Sequence, residues 1–294
     1  MKFLKSLIDL TKLLFKLLIL ILKNQPVRIK FFEEKLRKAI IIGNGPSLQY
    51  DIEEILKLSK NNFDIYTVNY FAKSRYFKEI MPTHYFFSDK MFWTKSIIPE
   101  VKSDNQKIFK ILREIDWKMT IICPHQGYPF LKNELSENKN LTFYIIPIRS
   151  TEFMTDEISF LSIKNRIFSV PNVNSVVSLL WMALNKKYKE ILLYGVDFSI
   201  FSTITVNQST NEVIVPTEHF YKNSLAENNA HKKYLKQKSK TISHRFYQVY
   251  RSFKLMDTLA KLSIELKVDV VNKSSFSFID SFPREKNNLD ILKE

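Results

Sequence analysis

The 294-residue sequence contains a single cysteine, Cys123, and only four glycines. One cysteine excludes a disulfide framework and any zinc site built on cysteine pairs. So few glycines indicate that each one occupies a place where the backbone needs it. Acidic residues are also scarce, since 30 Asp and Glu face 45 Lys and Arg and leave a net charge of +15. With 45% apolar and 26% charged residues, the sequence otherwise has the composition of a globular protein, which excludes a disordered or fibrous chain.

The positive charge is concentrated in two separate segments. Residues 1–38 carry ten basic and three acidic side chains, and residues 231–254 carry eight basic and no acidic ones. An excess of this size indicates an anionic partner. The pattern favours a membrane surface, and no nucleic-acid partner is expected because the sequence has no zinc finger, RNP-type motif or convincing helix-turn-helix. For residues 231–254, binding of an anionic glycan or membrane and a merely solvated helix face both stay open.

No uncharged run near the N-terminus is long enough to span a bilayer, which takes about 20 apolar residues. Residues 3–22 instead predict an amphipathic helix with a broad apolar face and a charged stripe about 80° wide. The stripe consists of Lys2, Lys5, Asp9, Lys12, Lys16 and Lys23. We therefore interpret residues 1–37 as a membrane-associating interfacial helix followed by a basic linker. The alternatives are a helix packed on the protein core and a signal peptide, although no small-residue cleavage site follows the helix.

From residue 38 onwards, short apolar strands alternate with helical segments. The predicted strands are 38–42, 64–68, 83–87, 119–123, 142–146, 190–194 and 268–271, and the clearest helices are 51–58, 175–184 and 246–262. This alternation predicts an α/β fold with a mainly parallel sheet and helices on both of its faces. Residues 38–294 are predicted to form one domain, in which the polar stretch 202–240 is a lid or insertion.

The strongest local motif is the turn that follows the first predicted strand. It reads Gly43-Asn44-Gly45-Pro46-Ser47 and stands directly before a helix. Two glycines let a backbone approach a phosphate closely, and Asn44 and Ser47 add side-chain hydrogen bonds. The turn is neither a Walker A loop nor a complete GxGxxG motif. Nucleotide binding and a plain strand-to-helix turn therefore both remain open.

Polar residues also follow the next two strands. Asn69 ends the second strand, where parallel sheets bind ligands, although an asparagine here also suits the cap of the next helix. Ser88 and Asp89 end the third strand. No Asp-X-Asp pair stands at a strand end, so the carboxylate pair that holds a divalent ion in many nucleotide-sugar enzymes is missing. We accordingly expect no metal and no other cofactor.

Three stretches, taken together, carry a resemblance to a known family. The strings IIIGNGPSL, IYTVNYF and NVNSVVSLLWMAL leading into YKEILLYGVDF occur in this order. Over roughly residues 38–200 the chain resembles the bacterial sialyltransferases of glycosyltransferase family 42 and related lipooligosaccharide and capsule glycosyltransferases. The resemblance implies a Rossmann-like fold, a GT-A-like variant, and inverting transfer without a metal from a CMP-linked sialic acid or another nonulosonate. It also implies a glycan or glycolipid acceptor. Together with the amphipathic helix, it leads us to expect a location on the cytoplasmic face of the inner membrane.

The resemblance implies a set of donor-binding residues. The turn residues Gly43, Asn44, Gly45, Pro46 and Ser47 would contact the CMP moiety together with Asn69. Asn174 and Ser175 lie where the family has a Ser/Thr-rich helix start that faces the sugar carboxylate, and Gly195 and Asp197 match its Gly-X-Asp-Phe motif. Ser88 is a further donor-binding candidate, although it replaces an asparagine of the family pattern. Two other departures are Ser199, which replaces a tyrosine, and Pro171 and Asn172, which stand where the family has an arginine.

The acceptor hydroxyl needs a general base with a near-neutral pKa, which favours histidine. His219 lies in a place comparable to that of the family's catalytic histidine, and His244 is the second candidate. Tyr221 stands close enough in sequence to assist the departing phosphate in place of the family tyrosine. Two other classes of protein remain open: a pyrophosphokinase-like enzyme on the same scaffold, and a non-enzymatic basic protein that binds membrane or nucleic acid. A homo-oligomer is compatible with all of these readings.

Overall fold

A computed structural model describes most of the chain. The described residues are 2–23, 26–35, 37–94, 99–149, 156–215 and 241–284.

A seven-stranded, entirely parallel sheet forms the centre of the protein, in the order β5-β4-β3-β2-β1-β6-β9. Its strands are β1 (Lys38–Ile42), β2 (Phe63–Val68), β3 (His84–Phe86), β4 (Met119–Pro124), β5 (Leu141–Ile146), β6 (Glu190–Tyr194) and β9 (Asp269–Asn272). Strands covered on both faces read as continuous apolar runs, and Ala39 through Ile42 of β1 are all fully buried. The predicted α/β, Rossmann-like fold is thus confirmed.

The helices pack on both faces of this sheet. They are α1 (Lys2–Leu22), α2 (Leu48–Ser59), α3 (Phe77–Ile80), α4 (Pro99–Arg113), α5 (Tyr128–Leu135), α6 (Asp156–Lys164), α7 (Ser175–Lys186) and α8 (Ile242–Leu266). Alternate residues of β1 enter different cores. Ile40 and Ile42 pack in the core that contains α2 to α5, and Ala39 and Ile41 pack in the core that contains α6 to α8. The sheet is therefore doubly wound.

The order of the strands reverses at β1. The chain builds outwards from β1 to β5, then returns to place β6 on the other side of β1. The connection after β1 leads into α2 on one face, and the connection after β6 leads towards α8 on the opposite face. In open α/β sheets, such a switch point leaves a crevice at the carboxyl ends of the strands, where ligands bind.

The predicted insertion begins with a small hairpin. Two short antiparallel strands, β7 (Thr205–Val206) and β8 (Val213–Ile214), follow a 3₁₀ turn at Ser199–Thr203. Residues 216–240 of the insertion lie outside the described residues.

Helix α1 packs on the protein through part of its polar stripe and through Leu20, whereas Lys12 of the stripe is exposed. Asp9 is only 1% exposed, and the Lys16 ammonium lies 5.2 Å from the centre of the Phe168 ring. The apolar face points the other way, so that Leu14 and Leu18 are 58% and 50% exposed. Other exposed apolar residues of this face are Leu7, Ile8, Leu10, Phe15, Ile21 and Leu22. Across the described ranges, no helix is both long and apolar enough to cross a membrane.

The segment between α1 and β1 is fastened to the domain. The Arg149 guanidinium donates hydrogen bonds to the carbonyls of Pro26 and Val27, at 2.8 and 3.3 Å. Further along, the N–H of Glu34 donates to the carbonyl of Lys186 at the end of α7. The predicted linker is therefore an ordered strap in the part that the structure describes.

A buried polar network lies towards the amino ends of the strands. The Asp64 carboxylate accepts a hydrogen bond from the Tyr188 hydroxyl at 2.6 Å and forms an ion pair with Arg37 at 2.5 Å. His84 stacks on the ring of Tyr66, with the ring centres 4.1 Å apart. Burial, together with the nearby charges of Lys186 and Arg37, lowers the pKa of His84 to about 3. His84 is thus a neutral histidine with a structural role.

Candidate functional site

The turn after β1 lies directly against the turn after β6. The N–H of Gly43 donates to the Tyr194 carbonyl at 2.8 Å, and the N–H of Gly45 donates to the Gly195 carbonyl at 2.9 Å. A Cβ added to Gly43 would lie 2.3 Å from the Gly195 carbonyl oxygen, and one added to Gly45 would lie 2.4 Å from the Asp197 carboxylate. Glycine at these positions therefore permits the close contact of two turns at the switch point.

The side chain of Asp197 lies against the start of α2. Its carboxylate, only 2% exposed, accepts hydrogen bonds from the Ser47 N–H at 2.7 Å and from the Ser47 hydroxyl. A negative charge is stabilised there by the unpaired N–H groups of the helix. Burial raises the pKa of Asp197, and the hydrogen bonds from Ser47 oppose that rise. Both Ser47 donors thus serve an internal carboxylate, whereas the sequence predicted that they would bind a ligand.

Asn44 and Pro46 form the exposed side of the same turn. The Asn44 amide nitrogen donates to the Val68 carbonyl at 3.2 Å and so ties the turn to the end of β2. Pro46 lines the cavity above the turn. Since the N–H groups of Gly43, Gly45 and Ser47 bond within the protein, this turn is not a loop of free N–H donors like that of a Walker A motif.

Three polar side chains join the ends of β2 and β3 to the start of α7. We call Asn69, Ser88 and Ser175 the amide–hydroxyl cluster. The Asn69 amide nitrogen donates to the Ser175 hydroxyl at 2.9 Å, and its oxygen accepts from the N–H and hydroxyl of Ser88 at 3.2 and 3.3 Å. The hydroxyls of Ser88 and Ser175 also bond to each other. Asn69 therefore connects three elements and does not cap the helical turn after it.

The backbone of Asn69 explains why an asparagine fits this position. Its φ is +49°, in the left-handed region that asparagine tolerates better than most residues. The Tyr85 hydroxyl donates to the Asn69 carbonyl and holds this conformation. The side chain is consequently turned towards β3 and α7.

Two asparagines fix the start of α7 at the edge of the sheet. The Asn174 side chain caps the helix by accepting the Val176 N–H at 2.9 Å. The Asn172 amide donates to the Ser88 carbonyl at 2.9 Å and accepts the Ser178 hydroxyl at 3.0 Å. The positive end of the α7 dipole and the Ser175 hydroxyl are thereby aimed into the space above the sheet.

Two adjoining cavities lie above the carboxyl ends of the strands. The first, which we call the β1–β6 cavity, measures about 420 Å³ and is lined by both switch-point turns. The second, which we call the β3–β4 cavity, measures about 650 Å³ and continues past the ends of those strands. Residues that line both are Asn69, Asp89, Val173, Asn174 and Ser175. The two cavities therefore form one cleft that is large enough for a nucleotide and a second substrate.

The structure brings most of the sequence-predicted donor residues to this cleft. Its lining includes Gly43, Asn44, Gly45, Pro46, Asn69, Ser88, Asn174, Ser175, Gly195 and Asp197, and Ser47 lies just beneath it. His219 and Tyr221 lie outside the described residues. His244 lies in the first turn of α8 and lines neither cavity.

Sequence reasoning missed several residues of the β3–β4 cavity. Asp89 lines both cavities, and its carboxylate accepts the Met91 N–H at 3.0 Å. Lys90, Trp93 and Gln126 line the far wall. The signal for Asp89 was its place directly after a strand, which is the reasoning that selected Asn69. Lys90 and Gln126 lie in connections whose course no local pattern predicts.

No cluster of three or more His, Cys, Asp or Glu side chains able to hold a metal ion occurs in the described ranges.

Fold and cleft together define a doubly wound α/β protein whose parallel sheet carries a ligand-sized crevice at its switch point. No known protein family matches the chain, and no curated protein is significantly similar to it. The resemblance to the sialyltransferases accordingly stays a prediction.

Proposed function

We propose that this protein is an inverting glycosyltransferase that moves an acidic sugar from a CMP-linked donor to a hydroxyl of a bacterial surface glycan. The observation that carries the proposal is the cleft formed where the β1–β6 and β3–β4 cavities meet at Asn174 and Ser175. In this proposal the β1–β6 cavity holds the nucleotide and the β3–β4 cavity holds the donor sugar, so that the reacting carbon lies where the two cavities meet. The motifs that resemble glycosyltransferase family 42 supply the choice of donor.

In this proposal the nucleotide lies in the β1–β6 cavity, over the turns that follow β1 and β6. Its phosphate is stabilised by the start of α7 and by the Ser175 hydroxyl, because the start of α2 already holds the Asp197 carboxylate. Asn69 positions Ser175 by donating to its hydroxyl. These fixed donors would stabilise the departing phosphate without a metal, which is electrostatic preorganisation.

The chemical step is a direct displacement at the anomeric carbon. A base removes the proton from the acceptor hydroxyl, whose oxygen attacks the face opposite the nucleotide and forms the new glycosidic bond as the bond to CMP breaks. His219 is the base that the resemblance implies. Tyr221, which is close to it in sequence, would donate a hydrogen bond to the leaving phosphate. Asp89 is the carboxylate that lines both cavities and offers a second candidate base.

We also propose that α1 binds the cytoplasmic face of the inner membrane. Most of its apolar face is exposed while Asp9 of its polar stripe is buried against the domain, which is the reverse of a helix that covers a protein core. A contiguous apolar surface of this kind marks an interaction site, and the Lys residues at both ends of the helix suit anionic lipid headgroups.

The decisive experiment measures ligand protection and turnover separately. We expect CMP to raise the melting temperature of the full chain more than UDP, GDP or NAD, because a ligand that binds only the folded state stabilises it. We also expect transfer from CMP-sialic acid or another CMP-nonulosonate to continue in EDTA. A strict magnesium requirement with ATP would instead favour the pyrophosphokinase-like alternative. Salt-sensitive DNA binding without nucleotide protection would favour the non-enzymatic one.

The candidate bases are separated by paired variants. His219→Ala should abolish transfer but retain CMP protection, and His244→Ala should retain both. If Asp89→Asn abolishes transfer and His219→Ala does not, Asp89 is the base.

A further inference from the structure

A third cavity opens from the cleft beneath the start of α8. It measures about 400 Å³, and we call it the α8 cavity. It shares Val173, Asn174, Phe198 and Ile200 with the β1–β6 cavity, so the two are neighbours across the same wall. The proposed chemistry above places no group in it.

The length of α8 explains how this cavity forms. The helix has 25 residues, which at 1.5 Å per residue is about 37 Å, roughly twice the span of the strands that it covers. Its second half buries Met256, Leu259 and Leu262 against the sheet. Its first half therefore extends past the carboxyl edge and presents Arg245 and Gln248 to the cavity.

Arg245 is a partly buried cation in this wall. Its Nε is buried and has no hydrogen-bond partner among the described residues, and its Nη1 donates to the Gln248 side-chain oxygen at 3.4 Å. No carboxylate of the described residues forms an ion pair with it. Burial lowers the pKa of the Arg245 guanidinium. Burying part of a cation without a counter-charge has a free-energy cost, which a bound anion offsets.

The rest of the lining suits a small anionic molecule with an apolar face. Among the described residues that line the α8 cavity, the charged ones are Arg245 and Arg251, and none is acidic. Phe253 packs edge-on against Phe198, with ring centres 5.5 Å apart, and forms an apolar side. An apolar wall with a few convergent polar groups is typical of a small-molecule site.

We propose that the α8 cavity is the acceptor subsite of this protein and that Arg245 binds an oxyanion, a carboxylate or a phosphate, on the acceptor sugar. The assignment of this cavity to the acceptor rests on the proposed function, whereas the anion site rests on Arg245 and its cavity alone. A planar guanidinium recognises either oxyanion with two parallel hydrogen bonds.

The first test measures binding by the full chain without any transfer reaction. Glucuronic acid and galactose 6-phosphate are titrated against the wild type, with uncharged galactose as the reference ligand. Arg245→Gln should weaken binding of the charged sugars by about tenfold to a hundredfold and leave galactose binding unchanged. Lys261→Gln removes one charge from an exposed position of the same helix and should change neither. Equal binding of charged and uncharged sugars by the wild type would overturn the anion site.

Two further measurements keep the test decisive. CMP protection of Arg245→Gln should equal that of the wild type, which shows that the variant is folded. Arg245→Lys should restore only part of the affinity, because an ammonium does not make the paired hydrogen bonds of a guanidinium. Full loss of anion binding in the lysine variant supports bidentate recognition, and an unchanged affinity in both variants contradicts any role for Arg245.

Transfer kinetics then separate the two sources of the anion. If the acceptor carries it, Arg245→Gln raises KM for the charged acceptor and leaves KM for the CMP donor unchanged. A raised donor KM alone would assign the anion to the donor sugar and overturn the acceptor subsite. If no CMP-sugar is ever turned over but the Arg245-dependent binding persists, the proposed function fails and the anion site stands.

Discussion

The carboxylate of Asp197 accepts both hydrogen bonds that Ser47 donates at the start of α2, and the one from the backbone N–H measures 2.7 Å. The two residues are 150 positions apart in the sequence. Their contact fastens the turn after β1 to the turn after β6, so the floor of the cleft is set by an internal charge at a helix start. Gly45 makes room for that carboxylate.

Gly45→Ala should destabilise the fold. The added Cβ would lie 2.4 Å from the Asp197 carboxylate and 2.7 Å from the Gly195 carbonyl oxygen, closer than van der Waals contact allows. We expect a loss of about 1–3 kcal/mol in the free energy of unfolding, as for other overpacked sites. Urea denaturation followed by circular dichroism measures it. The control Asn61→Ala changes an exposed turn and should stay within about 0.5 kcal/mol of the wild type; equal stability of the two variants would contradict the observed crowding.

Ser175→Ala should weaken CMP binding. The variant removes the hydroxyl that accepts from Asn69 and that the proposed function directs at the nucleotide phosphate. We expect about a tenfold rise in the Kd for CMP, the usual effect of one hydrogen bond to a charged group. Isothermal titration calorimetry gives the Kd. Ser59→Ala removes a hydroxyl at the C-terminal end of α2 and should leave the Kd for CMP unchanged. An unaltered Kd in the Ser175 variant would remove this residue from the donor site.

The neutral state of His84 makes the protein sensitive to mild acid. The pKa of His84 is lowered from its ordinary value of 6.5 to about 3, so between these values the unfolded chain binds more protons than the folded one. Stability must then fall as the pH is lowered through this window. Between pH 7 and pH 5 the wild type should lose about 2 kcal/mol through this group. His84→Gln should lack this component.

The measurement is the urea midpoint at the two pH values. His125→Gln replaces an exposed histidine and provides the control, which should lose as much stability as the wild type. If His84→Gln loses as much as that control, the acid sensitivity has another origin.

Leu14→Glu combined with Leu18→Glu should abolish most membrane binding. The two residues are 58% and 50% exposed, and burying a leucine is worth about 1.5–3 kcal/mol. We expect at least a tenfold loss of binding to vesicles that contain anionic lipid, with no change in melting temperature. Sedimentation with vesicles measures the binding. Tyr50→Glu makes a similar change on an exposed face of α2 and should bind vesicles like the wild type. If the wild type does not bind vesicles and is a dimer in solution, the apolar face of α1 is a self-association surface.

The sequence predicted the sheet well because its strands are short, continuous apolar runs between turn residues. Strand β1 was expected at 38–42 and lies there, and α8 was expected over 246–262 and spans Ile242–Leu266. These features depend on local periodicity, which neighbouring residues alone determine. The order of the strands was not predicted, because it depends on which strands pair across long separations.

The sequence predicted which residues belong to the site better than it predicted the contacts between them. The turn after β1 was recognised from its glycines, yet the expectation that Ser47 faces a ligand missed its contact with Asp197 in the turn after β6. The orientation of α1 could not be predicted either, since an amphipathic pattern defines two faces but not which of them packs against the protein. Arg245 carries no local motif, and its importance comes from the cavity that α8 creates.

The strap between α1 and β1 has a mechanical consequence. Arg149 holds its start through the carbonyls of Pro26 and Val27, and the Lys186 carbonyl holds Glu34 farther along. If the linker were loose, the domain would rotate freely relative to α1, and the entrance of the cleft would have no fixed orientation. Because the strap is fixed to the domain, α1 and the sheet turn together. The surface that binds α1 therefore also sets the distance and the tilt at which the entrance of the cleft meets a tethered substrate.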